Sequence, residues 1–236
     1  ALLSGEETSS LNFGEVWHFF ETELKYPTTN LNSNYFSSVD ISKYDVIIIP
    51  EGYYSSFLTT EILDKLSSFV SSGGTLIILG NAVNAFADKK EFALKSKEIK
   101  KDSTSFNLTR YADLERKGVK NLITGAIFKS KVDVTHPLAF GYKKDYFSLK
   151  LNGDSYPYLQ DGFNVAYFDK DSKNVSGYAG SEAVKQVPES LLFGEEQKGR
   201  GSVVYLVDNI LLRSFWNNGK LFLANAVFLL NSDIIK

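Results

Sequence analysis

His18-Phe19-Phe20-Glu21 places a histidine and a carboxylate three residues apart, and His136 follows far downstream. On a helix two such side chains share a face. Two imidazoles and a carboxylate form a donor set that holds zinc and leaves one position for an activated water. Metal-dependent hydrolysis using His18, Glu21 and His136 is therefore one reading of the chain. Acidic residues fill 28 of its 236 positions, however, so an acid three residues after one of two histidines is expected by chance about one time in four. The reading we favour leaves His18 and Glu21 on a helix surface and His136 in a turn before Pro137, with no metal and no cofactor.

A second set of polar residues follows the apolar runs. Glu51, Tyr53 and Tyr54 come after Val46 to Pro50, Asn81 and Asn84 after Thr75 to Leu79, and Asp208 and Asn209 after Gly201 to Val207. In open α/β sheets ligands bind beyond the carboxyl ends of the strands. Glu51, Asn81 and Asp208 are thus expected to converge in one concavity, with Tyr53 or Tyr54 as a stacking face for a hydroxyl-rich or cationic ligand. The alternative is leftover polarity from a lost active site. Zero cysteines exclude a disulfide framework, a thiolate metal site and a Cys nucleophile. Asn107-Leu108-Thr109 and Asn174-Val175-Ser176 match the glycosylation acceptor pattern, which is usually accidental at this length.

The elements that must position these residues are legible in places. Ser10 can cap a helix carrying Phe13, Val16, Trp17, Phe20 and Leu24 on one face. Tyr44 to Pro50 and Thr75 to Leu79 read as strands covered on both faces, as in a parallel sheet. Between them Thr59 and Thr60 offer an N-cap for a helix whose stripe of Ile62, Leu63, Leu66, Phe69 and Val70 ends at Gly73. Strand, helix and strand in that order make a right-handed crossover. Residues 89 to 120 are too polar for any element to be assigned. Ile123 to Phe128, Tyr146 to Leu151, Val165 to Phe168 and Leu191 to Phe193 are short β-prone pieces that read as an antiparallel extension. Gly201 to Val207 is the last buried strand, and Leu221 to Leu230 a deeply packed closing helix. The opening run Ala1-Leu2-Leu3 reads as a truncated first strand, so a domain of a longer protein is expected.

Composition bounds the function. With 43% hydrophobic and 23% charged residues the chain can bury a sizeable core, which excludes disorder. A formal charge of -2 gives no footprint for nucleic acid or an anionic membrane. No apolar run approaches the ~20 residues of a membrane helix, and nothing at the start reads as a signal peptide.

The order strand, helix, Gly73-Gly74, strand and Gly80-Asn81-Ala82-Val83-Asn84 resembles a class I glutamine amidotransferase-like domain. The resemblance implies a nucleophile on the tight turn after this strand, matched here by Ala82, and a histidine after the last strand, where Val207-Asp208-Asn209 has none. Amidotransferase chemistry is expected to be absent. Gly14 to His18, Tyr44 to Gly52, His136 to Tyr142 and Arg213 to Trp216 look like the amidotransferase-like domain at the C-terminal end of some bacterial secreted zinc carboxypeptidases. That resemblance implies a parent that cleaves C-terminal residues with a zinc-bound water.

The expected fold is α/β, a flavodoxin-like three-layer sandwich with a mostly parallel sheet and an antiparallel β extension. It would form a single domain over residues 1–236, with a polar insert near 89–120 and a β-rich extension near 121–200. The expected role is a non-catalytic accessory domain, secreted or periplasmic, in contact with a catalytic peptidase domain. It would bind neither nucleic acid nor membrane; a peptide or saccharide is the possible ligand, at Glu51, Tyr53, Asn81, Asn84, Asp208 and Asn209. The alternatives are a metal-dependent peptidase using His18, Glu21 and His136, or a small-ligand-binding domain at the strand ends.

Overall fold

The computed structural model describes residues 1–97 and 110–230. Its strands are β1 Leu2–Ser4, β2 Asn30–Asn32, β3 Val46–Ile49, β4 Thr75–Leu79, β5 Ile123–Val132, β6 Asp145–Lys150, β7 Phe163–Phe168, β8 Asn174–Ala179, β9 Ser190–Lys198 and β10 Gly201–Leu206. The helices are α1 Ser10–His18, α2 Thr60–Ser71, α3 Val83–Phe86, α4 Leu114–Val119 and α5 Lys220–Phe228. All strands join one sheet of order β2-β1-β3-β4-β10-β9-β7-β5-β6, with β8 also paired to β5.

The sheet has two halves. From β2 to β10 every pairing is parallel; β3 is wholly aliphatic and every residue of β4 and β10 is buried, because both faces of these strands are covered. Leu76 and Ile78 face the layer holding Leu63, Leu66 and Val70 of α2, while Ile77 and Leu79 face the layer holding Phe222 and Leu223 of α5. Those are the three layers of a flavodoxin-like fold. Beyond β10 the pairings turn antiparallel, beginning with the tight turn Gly199-Arg200. There the guanidinium of Arg200 donates to Ser72 O at 2.7 Å and so caps the C-terminal end of α2. No helix among the described residues is long and apolar enough to cross a membrane.

Several expectations shift. The cap of α1 is Ser9, whose side chain accepts from Asn12 N, rather than Ser10. After His18 the helix continues as a π-helix over Phe19–Leu24. The wider turn carries Phe19 and Phe20 inward and leaves Trp17 and Leu24 about two-fifths exposed, 43% and 39%, so the regular 3.6-residue stripe misassigns both. The edge strand β2 and the exposed strand β8 carry no apolar alternation and were not anticipated. Within the polar insert, Phe92 and Leu94 are buried against the sheet, where Ala93 N donates to Glu196 Oε2 at 2.8 Å. The insert also contains α4, which buries none of its residues and therefore shows no apolar period. Residues 98–109, with Asn107-Leu108-Thr109, lie outside the described part.

Candidate functional site

β4 ends at Leu79 and the chain turns sharply into α3. Gly80 takes φ +52, and a Cβ there would lie 2.3 Å from Cδ of Glu51. Glycine suits the turn on two counts: the left-handed backbone costs it nothing, and any side chain would have to displace the Glu51 carboxyl group packed on its Cα. This apex stands two residues before Ala82, the position matched from sequence. Ala82 is buried with ordinary helical torsions, φ -59 and ψ -28. The chain reverses on the first residue after the strand, where Gly80 takes the left-handed torsion.

Glu51 follows β3 and is the centre of the cluster. Its carboxyl group accepts from the backbone N–H of Asn81 and from the side chain of Asn209, with Glu15 and Asp208 close by. Burial first, then the charge of Glu15, pushes its pKa from 4.5 up to about 7. Asn81 also fixes the next turn, since its Oδ1 accepts from Gly52 N at 2.8 Å. Glu15, on α1, was not singled out as a site residue. It accepts from Asn209 Nδ2 at 2.9 Å and from Arg213 N at 2.5 Å. The second bond pins a loop in which Arg213 and Ser214 are both left-handed, φ 50 and 59. A narrow crevice runs between Asn12, Glu15, Glu51, Asn209 and Leu211.

Asp208 reaches this neighbourhood but is sealed from it. Lys150 Nζ donates to its Oδ1 at 2.8 Å and Ser148 Oγ to its Oδ2 at 2.5 Å, with the Lys150 and Asp208 side chains only 2% and 3% exposed. Lys150 also donates to Asp154 O at 3.0 Å and lies over the ring of Phe168. The alternation of β6 directs Tyr146, Ser148 and Lys150 inward, so the antiparallel half closes over this strand end.

Of the six residues proposed as ligand contacts, the structure gathers Glu51, Asn81, Asp208 and Asn209. Asn84 is engaged elsewhere, donating to Asp154 Oδ2 at 2.9 Å and accepting from Tyr156 OH at 2.5 Å. Tyr53 is 82% exposed, whereas Tyr54 is buried with its hydroxyl donating to Pro50 O at 2.9 Å; Tyr54 therefore offers no stacking face. The three residues of the metal reading are each engaged separately. His136 is buried, with Nε2 2.9 Å from Glu195 Oε2 and Nδ1 accepting from Leu138 N. Both nitrogens are spent, because the backbone N–H fixes Nδ1 as an acceptor and leaves Nε2–H to face the carboxylate. His18 lies 3.4 Å from Glu23, and Glu21 accepts from Thr28 N at 2.8 Å. Among the described residues no three metal-ligating side chains come together.

No protein-family model and no curated protein matches the sequence. Solved structures do. A ThuA-like protein from Parabacteroides merdae is 14% identical with a TM-score of 0.57, over 98% of this chain and 89% of its own. A GMP synthase component from Thermoplasma acidophilum is 10% identical with a TM-score of 0.57, over 96% and 91%. The fold is class I glutamine amidotransferase-like. An exo-β-1,4-mannosidase from an Opitutaceae bacterium is 11% identical with a TM-score of 0.54, over 96% of this chain but 35% of its own. An amidotransferase-like fold thus occurs both as nearly a whole chain and as about a third of a larger one. The sequence resemblance implied a nucleophile on the turn after β4, and that turn presents glycine at its apex.

Proposed function

We propose that this chain is a non-catalytic accessory domain that stabilises or docks a catalytic peptidase domain in a secreted or periplasmic zinc carboxypeptidase-like protein. Gly80 carries the reading: the apex has no side chain, and the carboxyl group of Glu51 fills the space one would need. No cysteine exists to take the role, and Asp208, after the last strand, is neutralised by Lys150. The mannosidase neighbour supports an accessory role from another side, because there a similar fold is one part of a larger hydrolase. The peptidase context rests on the four sequence strings around Glu15, Tyr44, His136 and Arg213.

The purified chain should hydrolyse glutamine, simple esters and peptide C-termini no faster than buffer does. Fusing it to a zinc carboxypeptidase domain should raise that domain's melting temperature by several degrees, the shift that about 1 kcal/mol of docking energy gives. Turnover that disappears in Glu51→Gln, or a fused domain that melts as it does alone, would sink the proposal.

The elevated pKa of Glu51 favours a second reading, a ligand docking across the mouth of the crevice, whose interior of about 10 Å³ admits no more than a water, because a carboxyl group poised near neutrality is a frequent mark of function. The donors and acceptors there suit a hydroxyl-rich or cationic ligand. Titration with oligosaccharides and short basic peptides should then show saturable binding that Glu51→Gln weakens about tenfold; the absence of saturation with either class would remove this reading.

A further inference from the structure

The sequence contains two Asn-Gly dipeptides, Asn152-Gly153 and Asn218-Gly219, and the fold treats them in opposite ways. We propose that Asn152 is a site of spontaneous deamidation, and that Asn218 is protected by its surroundings. In this reaction the backbone nitrogen of Gly153, losing its proton to base, attacks Cγ of Asn152. The new N–C bond closes a five-membered succinimide as ammonia leaves carrying the side-chain nitrogen. Water then opens the ring at either carbonyl to give aspartate or isoaspartate, so the net change is water consumed and ammonia released. No oxidant or cofactor is needed.

Ring closure requires the following residue to swing its nitrogen onto the side-chain carbon. Gly153 is exposed, and a Cβ built on it would meet nothing within 4 Å, so this stretch of chain has room to move. The side-chain carbonyl oxygen of Asn152 already accepts from Asp154 N at 3.0 Å. That bond polarises the carbonyl and is placed to stabilise the oxyanion that forms on attack. Asn152 therefore combines an unhindered nucleophile with an activated electrophile.

Asn218 has neither advantage. Gly219 is buried, its nitrogen donates to Trp216 O at 3.4 Å, and a Cβ on it would come within 2.3 Å of Ile210 O. Its backbone cannot rotate without displacing Ile210 and the start of α5. The amide nitrogen that would leave is held as well, donating to Phe147 O at 2.9 Å, and the backbone carbonyl of Asn218 accepts from Tyr142 OH at 2.9 Å. The two dipeptides are alike in sequence and are separated by packing alone.

The modification would matter where it falls. A carboxylate at position 152 adds charge two residues from Asp154, whose side chain holds Asn84 and whose carbonyl accepts from Lys150. An isoaspartyl link would also lengthen the backbone of the loop that leaves β6, beside the buried Lys150.

The full chain, kept folded in mildly alkaline buffer at physiological temperature, should be followed by peptide mass mapping and by isoaspartyl methyltransferase labelling. The amide-to-acid mass gain should appear at Asn152 about tenfold faster than at Asn218, and label should accumulate in the 152 peptide. Asn152→Gln should abolish that label. In concentrated urea, where packing is gone, the two sites should react at similar rates. Equal rates in the folded chain, faster reaction at Asn218, or the same tenfold preference in urea would each overturn the proposal, the last because it would place the selectivity in local sequence.

Discussion

Lys150→Met should destabilise the fold by about 3–5 kcal/mol, the cost of leaving a buried charge without its partner. The Asp208 carboxylate would keep only Ser148 as a direct partner, in surroundings from which water is excluded and with Glu51 nearby. Methionine fills much the same volume as the lysine stem, so the loss reports charge rather than a cavity. The double variant Lys150→Met, Asp208→Leu should recover most of the stability, because two apolar side chains often replace a buried ion pair without loss. Urea denaturation of the parent, both single variants and the double variant measures the coupling. If Lys150→Met unfolds within about 1 kcal/mol of the parent, β6 is held on the strand ends by its aromatic contacts instead, such as Tyr146 against Phe193 and Phe222.

Glu51→Gln should change the pH dependence of stability more than any other single substitution in the cluster. The carboxyl group has a pKa of about 7 in the fold against an ordinary 4.5, so between those values the folded chain keeps a proton that the unfolded chain has released. Its contribution is therefore fully present below about pH 4.5 and is lost as pH rises through about 7. A difference of this size corresponds to about 3 kcal/mol across the window. Glutamine supplies the same carbonyl oxygen to Asn81 N–H without ever ionising. The variant should match the parent near pH 4 and exceed it by about 3 kcal/mol near pH 8. Parallel stability curves for the two proteins from acid to mildly alkaline pH would show that Glu51 ionises freely in the fold and that the crevice is wetter than its lining indicates.

Such effects sit on residues whose importance the sequence showed unevenly. Glu51 and Asp208 stood out because each follows an aliphatic strand, and that placement is a property of the local sequence. Glu15 did not stand out. It lies beside the buried Val16 on a helix rich in polar residues, and its partners Asn209 and Arg213 are 194 and 198 residues away. Lys150 looked like one more polar residue at the end of a short β-prone piece. Only the pleat of β6, with alternate residues turned inward, marks it as buried. The π-helix after His18 and the loop at Arg213 escaped notice for a related reason: both are backbone states imposed by packing, and neither leaves a composition or period to read.

The sequence by itself determined the β3, α2, β4 crossover at the centre of the parallel half. Val46 to Ile49 and Thr75 to Leu79 are aliphatic on both faces, and Thr59 caps α2 with its side chain accepting from Ile62 N. Those signals are local, so they survive being read one window at a time. The sequence also determined that the turn after β4 carries no nucleophile, since neither Gly80 nor Ala82 has a reactive atom. Tertiary structure alone decided that Gly80 is the apex, that β6 closes over Asp208, and that His136 is paired with Glu195. Each of these depends on which polar groups meet in a dry interior. There the low dielectric makes a pairing strong and an orphan costly, while the meeting is set by chain topology over separations at which sequence spacing carries no information.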